Sequence, residues 1–115
     1  MGLKITTRRA GDTAILELEG RLWILDLPLR DRIRELLQEN YRFFVFNLEK
    51  VDYMDSSGLG QLVALWTSVR TKEGNLCVLK PSARVRRLLS VTRLNIVFDI
   101  FNDEEHALVA VRREA

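Results

Sequence analysis

Apolar and polar residues alternate along the first part of the chain. Residues 3–7 carry apolar or β-branched side chains at every second position, and strand-forming character returns over residues 13–19. A period of two is typical of a strand with one buried face. Because Gly11 and Asp12 form a turn signal between the two runs, the pattern predicts a β-hairpin whose second strand ends at Gly20.

Helical spacing replaces this alternation after the hairpin. Asp26 and Pro28 are typical of a helix start, and the helix is expected to end near Asn40. A second helix is predicted before Gly74, which is a typical C-terminal stop. The apolar positions that define these two helices are Leu29, Ile33, Leu36 and Leu37, then Leu59, Leu62, Val63, Trp66 and Val69.

Short continuous apolar runs lie between the helical segments. Residues 43–46 and 76–79 are such runs, and they suit strands that are covered on both faces, as in a parallel sheet. Residues 97–101 are predicted to form a last strand. Two further helices are expected, one opening at Ser82 and one at Asp103. Their inward positions are Val85, Leu88 and Leu89, then Ala107, Leu108 and Val111.

The element order is therefore β-β-α-β-α-β-α-β-α. This order predicts an α/β fold in which an N-terminal hairpin leads into a mostly parallel, helix-covered sheet. A chain of 115 residues has the usual length of one domain, so residues 1–115 are expected to form a single unit.

The composition of the chain argues against several classes of function. The formal net charge of +2 is too small to indicate nucleic-acid binding by itself. Cys77 is the only cysteine and His106 the only histidine, so neither a disulfide nor a protein-only zinc site is expected, and no cofactor is predicted. No secretory signal follows Met1 and no apolar stretch approaches the roughly 18 residues of a membrane span, which predicts a cytoplasmic protein.

The segment 51–60 carries the most informative chemistry. On residue types alone, Asp55 or Ser56 caps the second helix by accepting hydrogen bonds from its free backbone N–H groups. Gly58 and Gly60 fall in the first helical turn, where each costs about 1 kcal/mol relative to alanine. Such a cost indicates a close approach to another body, which could be a chain segment, a phosphate or a partner protein.

A serine at this place is also well positioned to carry a phosphoryl group. A helix N-terminus offers free N–H donors and a positive dipole end to an anion. A phosphoserine adds about −1.5 to −2 charges near neutral pH, which would join those of Asp52 and Asp55. We therefore expect such a modification to change partner binding and to leave the fold intact.

Catalytic interpretations have less support. Neither Ser56 nor Ser57 stands in a G-x-S-x-G nucleophile elbow, and no G-x-x-x-x-G-K-[ST] phosphate loop is present. The only imidazole, that of His106, falls on the predicted last helix among acidic residues and reads as a solvated side chain. The sequence therefore does not predict an enzyme, and a small serine hydrolase is the least favoured alternative.

The run Asp55-Ser56-Ser57-Gly58-Leu59-Gly60 resembles the signature of STAS domains, especially the SpoIIAA-like anti-sigma factor antagonists. The similarity covers roughly residues 3–112. Weaker matches outside the signature are Gly20, Val51, Gly74, Leu88, Leu89 and Leu94.

The resemblance implies a bacterial partner-switching module. In that family the unphosphorylated antagonist binds an anti-sigma factor that is also a serine kinase, and it is released when phosphorylated. A PP2C-type phosphatase resets it. By position the acceptor is Ser56, with Ser57 the less favoured candidate. The implied partner-binding residues are Asp55, Ser56, Ser57, Gly58, Leu59 and Gly60, together with Arg21, Trp23 and Ile24 from the preceding turn.

The turn over residues 20–26 departs from the family pattern. Relatives often have an acidic or polar residue at the place of Trp23. Side chains alternate between the two faces of a strand, so residues 22–25 cannot all face one core, and either Trp23 or Ile24 is a candidate for exposure. The alternative, slightly favoured, is an irregular turn that tucks both under the first helix. If exposed, they predict contact with a partner or a homodimer.

Two further alternatives stay open. A STAS scaffold or a lipid-transport subunit would use the same fold without phosphate cycling. The basic residues Lys80, Arg84, Arg86, Arg87 and Arg93 are expected to form a solvated face; contact with an acidic partner or weak nucleic-acid attachment are the alternatives. Acidic residues at 99 and 103–105 offset this charge, which counts against nucleic acid.

Overall fold

The computed structural model describes residues 2–23 and 27–113, and within them the predicted order of strands and helices is confirmed. The elements are β1 (Leu3–Ala10), β2 (Thr13–Leu22), α1 (Leu27–Gln38), β3 (Phe43–Met54), α2 (Ser56–Thr71), β4 (Asn75–Leu79), α3 (Ala83–Val91), β5 (Ile100–Phe101) and α4 (Glu104–Arg113).

The strands form one sheet in the order β1-β2-β3-β4-β5. β1 and β2 pair antiparallel from Leu3 opposite Gly20 to Ala10 opposite Thr13, as the hairpin pattern predicts. Gly11 makes the turn between them with a φ of 64°. All later neighbours are parallel, so the carboxyl ends of β2, β3 and β4 meet at one edge.

Helices cover both faces of the sheet. Alternation along β3 sends Phe44 and Phe46 into a core that is shared with α1, α2 and α3. Val45 faces the opposite side, where it packs with Cys77 of β4 and with α4. Burial raises the pKa of the Cys77 thiol to about 12. Cys77 is therefore the small buried hydrophobe that its apolar neighbours predict.

The second strand is longer than predicted. β2 does not end at Gly20 but continues to Leu22. Its pairing with β3 shifts register between Gly20 and Arg21, and Gly20 has a φ of 110°, which other residues rarely adopt. This irregularity brings Arg21 beside Tyr53 at the end of β3. β3 is also longer than its apolar run, because its polar second half pairs with the extended β2.

The first helix begins at Leu27 with Pro28 in its first turn and ends at Gln38, close to the predicted end. The predicted cap, Asp26, lies outside the described residues. Gly74 has a different role from the one predicted. α2 ends at Thr71, and the left-handed residue after it is Glu73, with a φ of 65°.

Gly74 is needed because the chain passes close to another segment. A Cβ at Gly74 would lie 2.0 Å from the carbonyl oxygen of Arg42. The backbone N–H of Asn75 donates to this same oxygen at 2.9 Å. The glycine therefore sets the start of β4 against the start of β3.

The predicted last strand over 97–101 is wrong in its first half. Only Ile100–Phe101 pair with β4, while residues 92–98 form a compact turn after α3. Phe98 is buried, and its ring meets that of Trp66 edge-to-face with centroids 6.1 Å apart, but Val97 is 40% exposed. Local hydrogen bonds to Leu94 hold the turn, so the apolar run here is not a buried strand.

Candidate functional site

Asp55 joins the end of β3 to the start of α2. Its backbone is extended, and its Oδ1 accepts hydrogen bonds from the backbone N–H of Gly58 at 2.9 Å and from the Ser57 hydroxyl at 2.5 Å. The Tyr53 hydroxyl donates to Oδ2 at 3.2 Å. Of the two predicted candidates, Asp55 is therefore the residue that caps the helix.

These hydrogen bonds keep the Asp55 side chain ionised. The Ser57 hydroxyl contributes most, followed by the Gly58 N–H, and together with Tyr53 they hold the pKa of Asp55 below its ordinary value of 3.8. Donors that favour the charged form of a carboxyl lower its pKa. At neutral pH a fixed negative charge therefore lies beside the two serines.

The two serines have different surroundings. Ser57 is half-buried and its hydroxyl is engaged by Asp55. Ser56 is the first residue of α2 and its side chain is exposed to solvent. An incoming reagent reaches Ser56 without breaking the cap of the helix, whereas reaction at Ser57 removes a hydrogen bond that supports Asp55.

The two glycines of the signature also differ. A Cβ at Gly58 would lie 2.0 Å from the carbonyl oxygen of Leu22, so the close approach predicted from this glycine is to a segment of the same chain. A Cβ at Gly60 would meet nothing within 4 Å. Leu59 is buried in the core. Gly58 and Leu59 thus lie beneath the surface that was predicted to bind a partner, and Gly60 is exposed on it.

Tyr53 connects this helix start to the end of β2. The Arg21 guanidinium lies over the Tyr53 ring, 5.5 Å from its centroid, and the same tyrosine donates to Asp55. Tyr53 is not among the site residues predicted from the sequence. Its position in β3 follows from strand pattern, but its pairing with Arg21 depends on the register shift in β2, which no local pattern predicts.

Trp23 lies next to this connection and is half-buried, between the two outcomes considered for it. The neighbouring candidate Ile24 lies outside the described residues. Trp23 therefore keeps part of its surface in solvent beside the helix start.

The solvent-facing side of α2 is uncharged over most of its length. Arg70 is the only charged residue in this 16-residue helix, and its guanidinium lies over the Trp66 ring. Surface helices usually place charged side chains on their outer face. The exposed residues of α2 other than Arg70 are Ser56, Gly60, Ala64, Thr67, Ser68 and Thr71.

A groove of about 490 Å³ runs along part of this uncharged side. Arg30 of α1 lines one part of it, and Ser57, Gly60 and Ala64 of α2 line another. Small side chains on α2 leave the space open. The groove therefore lies beside the start of α2, and the cationic side chain of Arg30 forms part of the groove wall.

Among the described residues, no imidazole lies near these serines. His106 is on α4, its side chain is 81% exposed, and its Nδ1 lies 3.3 Å from Asp103. α4 packs on the opposite face of the sheet from α2. Over residues 2–23 and 27–113, no group of three or more His, Cys, Asp or Glu side chains is arranged to hold a metal ion.

Fold and site together define a small α/β binding domain in which an exposed serine begins an uncharged helix face. The chain belongs to the STAS domain family, whose model matches residues 4–107. The anti-sigma-B factor antagonist of Staphylococcus aureus is 32% identical to it over 95 residues, which is 82% of this chain and 88% of that protein.

Solved structures agree with this assignment. A candidate anti-sigma factor antagonist of Thermotoga maritima has a TM-score of 0.83 and 26% identity, over 94% of both chains. The antagonist SpoIIAA of Bacillus has the same fold in two states. Its unphosphorylated form has a TM-score of 0.78, with 23% identity over 97% of this chain and 99% of SpoIIAA. Its phosphorylated form has 0.72, with 22% identity over 94% and 99%.

None of the helices in the described part of the chain is long and apolar enough to cross a membrane.

Substitution of the two signature glycines should have opposite effects on stability. Gly58→Ala forces a methyl group against the Leu22 backbone and should lower the free energy of unfolding by about 2 kcal/mol or more. Gly60→Ala meets no atom and should raise it by about 0.5–1 kcal/mol, because alanine favours the helix. Urea denaturation measures both. Equal effects would show that contact with β2 does not require a glycine.

The Asp55 carboxyl should titrate with a midpoint below 3.8, measured from its ¹³C chemical shift. Ser57→Ala should raise the midpoint towards that value, because the main donor is lost, whereas Ser56→Ala should not change it. A folded-state pKa below the unfolded one means that the stabilisation by Asp55 is complete above about pH 4 and lost as the pH falls through the folded-state pKa. A midpoint that responds equally to both variants would contradict the assignment of Ser57 as donor.

Proposed function

We propose that this protein is an anti-sigma factor antagonist that is switched by phosphorylation of Ser56. The observation that carries the proposal is the exposed Ser56 hydroxyl at the start of an uncharged helix face, next to the ionised Asp55. The antagonist function is that of its relative in Staphylococcus aureus, and SpoIIAA shows that this fold exists with and without a phosphoryl group.

The proposed docking surface consists of Ser56, Gly60 and Ala64 on α2, with Arg21 and Trp23 from the end of β2. These residues are exposed or half-buried, and the α2 members carry no charge. An uncharged surface of small residues loses little hydration when a partner covers it. Gly58 and Leu59 act from beneath by holding α2 against β2 and the core.

Phosphorylation would change this surface more than it changes the fold. A phosphoryl group adds about −1.5 to −2 charges to a face that has none, beside the charge of Asp55. A partner that covers the face would then have to bury at least two like charges, which is costly without a matching cation. Ser56 is exposed at a helix N-terminus, so the phosphoryl group can stay hydrated and the helix need not unfold.

The partners follow from the family resemblance. The first is an anti-sigma factor that is also an ATP-dependent serine kinase, and the second is a PP2C-type phosphatase that removes the phosphoryl group. These partners act in the cytoplasm, where the proposal places the protein. The protein itself is a ligand and a kinase substrate and not an enzyme.

A serine hydrolase has less support than the switch. His106 lies on the opposite face of the sheet from α2, so the described residues include no imidazole that could activate Ser56. A STAS scaffold without phosphate cycling would use the same docking surface. It differs from the proposal only in the response to phosphorylation, which the following experiment measures.

Incubation with the cognate kinase and ATP should add one phosphoryl group, mapped to Ser56 by mass spectrometry. Ser56→Asp should weaken binding to the unmodified kinase at least tenfold, because it places a charge on the docking surface, and Ser56→Ala should bind like the native protein. Isothermal titration calorimetry measures both affinities. Ser57→Ala is the matched control and should still accept phosphate at Ser56.

Equal affinity of Ser56→Ala and Ser56→Asp for the kinase would refute the switch and favour the scaffold. Phosphate found on Ser57 alone would refute the choice of acceptor. Burst release of product from an activated ester, lost in Ser56→Ala, would instead support the hydrolase.

Trp23→Ala should weaken binding to the same kinase about tenfold or more, because half-buried aromatic residues beside a docking surface often carry binding energy. Trp66→Ala is not a suitable control, since its ring packs on Phe98. Val109→Ala on α4 is better, because Val109 is 54% exposed on the other side of the sheet. Unchanged affinity and oligomeric state in Trp23→Ala would remove Trp23 from the surface.

A further inference from the structure

An exposed surface at the end of α3 combines aliphatic and cationic side chains. Val91, Ile96 and Val97 are 73%, 78% and 40% exposed, and they are three of the four most exposed large hydrophobic residues in the described chain. They belong to α3 and to the turn over 92–98 that follows it. Neither the core nor the proposed docking surface on α2 uses these side chains.

Arginines stand on the same helix and in the same turn as these aliphatic side chains. Arg84, Arg87 and Val91 stand at i, i+3 and i+7 on α3, so they lie along one face of the helix. Arg93 is exposed in the following turn. The structure gives none of these three arginines an ion pair with a described acidic residue. The Arg86 guanidinium instead donates a hydrogen bond to the side-chain oxygen of Asn102. The cationic–aliphatic surface is defined as Arg84, Arg87, Val91, Arg93, Ile96 and Val97.

The cationic–aliphatic surface lies in a long segment of the chain whose charged residues are all basic. Residues 80–98 contain five basic residues and no acidic residue, and Asp99 is the first acidic side chain after them. Asp99 is exposed and opposes a part of this charge, as do the acidic residues at 103–105. Glu104 and Glu105 belong to α4, which packs on the other face of the sheet from α3. The remaining field attracts an anionic partner, and it acts over about one Debye length, roughly 8 Å at physiological salt.

The turn holds its aliphatic side chains in a fixed arrangement. The N–H groups of Leu94 and Asn95 donate to the Leu89 carbonyl, and those of Val97 and Phe98 donate to the Leu94 carbonyl. Phe98 is buried beneath the turn. Ile96 and Val97 therefore remain outside while their backbone is anchored, and no ordering of the chain is needed before they contact another body.

We propose that the cationic–aliphatic surface binds anionic lipid bilayers. Guanidinium groups would contact lipid phosphates, while Val91, Ile96 and Val97 would enter the boundary between headgroups and acyl chains. A bilayer accepts protruding aliphatic side chains without a matching pocket. Protein-binding centres are instead enriched in Trp and Tyr, which this surface lacks, and single-stranded nucleic acid needs aromatic rings for stacking. This inference is independent of the proposed switch at Ser56.

Co-sedimentation of the full chain with vesicles tests the proposal. The protein should bind vesicles made of equal parts phosphatidylcholine and phosphatidylglycerol, should not bind pure phosphatidylcholine, and should be released by high salt. The triple variant Arg84→Gln, Arg87→Gln, Arg93→Gln should bind about a hundredfold more weakly, from about fivefold for each arginine. Circular dichroism checks that every variant is folded.

Matched controls separate the surface from net charge. The first control is the triple variant Lys4→Gln, Lys72→Gln, Arg113→Gln, which removes the same total charge from exposed positions elsewhere. This variant should lose far less affinity for the vesicles. The pair Val91→Ser, Ile96→Ser keeps every charge and should reduce binding at least tenfold, whereas Val109→Ser on α4 should not.

Absence of binding to the anionic vesicles at low salt would overturn the proposal. Equal loss in the two triple variants would do so as well, because the attraction would then be a property of net charge. If vesicles do not bind and the Arg84, Arg87, Arg93 variant instead loses affinity for the kinase, the surface belongs to a protein partner. That last result would leave the role of Ser56 unaffected.

Discussion

The close backbone contact between Gly58 and Leu22 is the constraint on which the site depends. A side chain at Gly58 would overlap the Leu22 carbonyl, so only glycine lets α2 begin against the end of β2. This contact fixes where the Asp55 cap lies, and it brings Arg21 and Trp23 beside the helix start. Two segments that are more than thirty residues apart thereby become one surface.

The charged residues around this surface are placed so that a single modification can change its charge. The Asp55 cap holds one negative charge in place through hydrogen bonds from Ser57, Gly58 and Tyr53. Beyond it, α2 presents small uncharged residues to solvent for most of its length. One added phosphoryl group therefore changes the charge of this helix face strongly, because the exposed residues of α2 near it are uncharged. Arg21 and Arg30 are the basic residues described beside this surface, and several of the others lie on α3.

Local pattern was sufficient for most of the fold. The hairpin, the order of elements and the parallel sheet follow from periods of two and 3.6, because burial on one or both faces imposes those periods. The pattern gave a wrong prediction where apolar residues are adjacent for a reason other than strand formation. Residues 97 and 98 look like the start of a strand, yet Phe98 is buried beneath a turn and Val97 faces solvent. Composition does not distinguish these two outcomes.

By itself, the sequence determined the helix start and its two costly glycines, since capping and glycine cost are local properties. The choice of Ser56 as phosphate acceptor came from the resemblance to the STAS signature. Only the tertiary structure decided what each glycine is for: Gly58 meets Leu22, Gly60 meets solvent and Gly74 meets Arg42. It also decided that Tyr53 links Arg21 to Asp55. Contacts between distant segments depend on strand register and backbone approach, and neither leaves a periodic trace in the sequence.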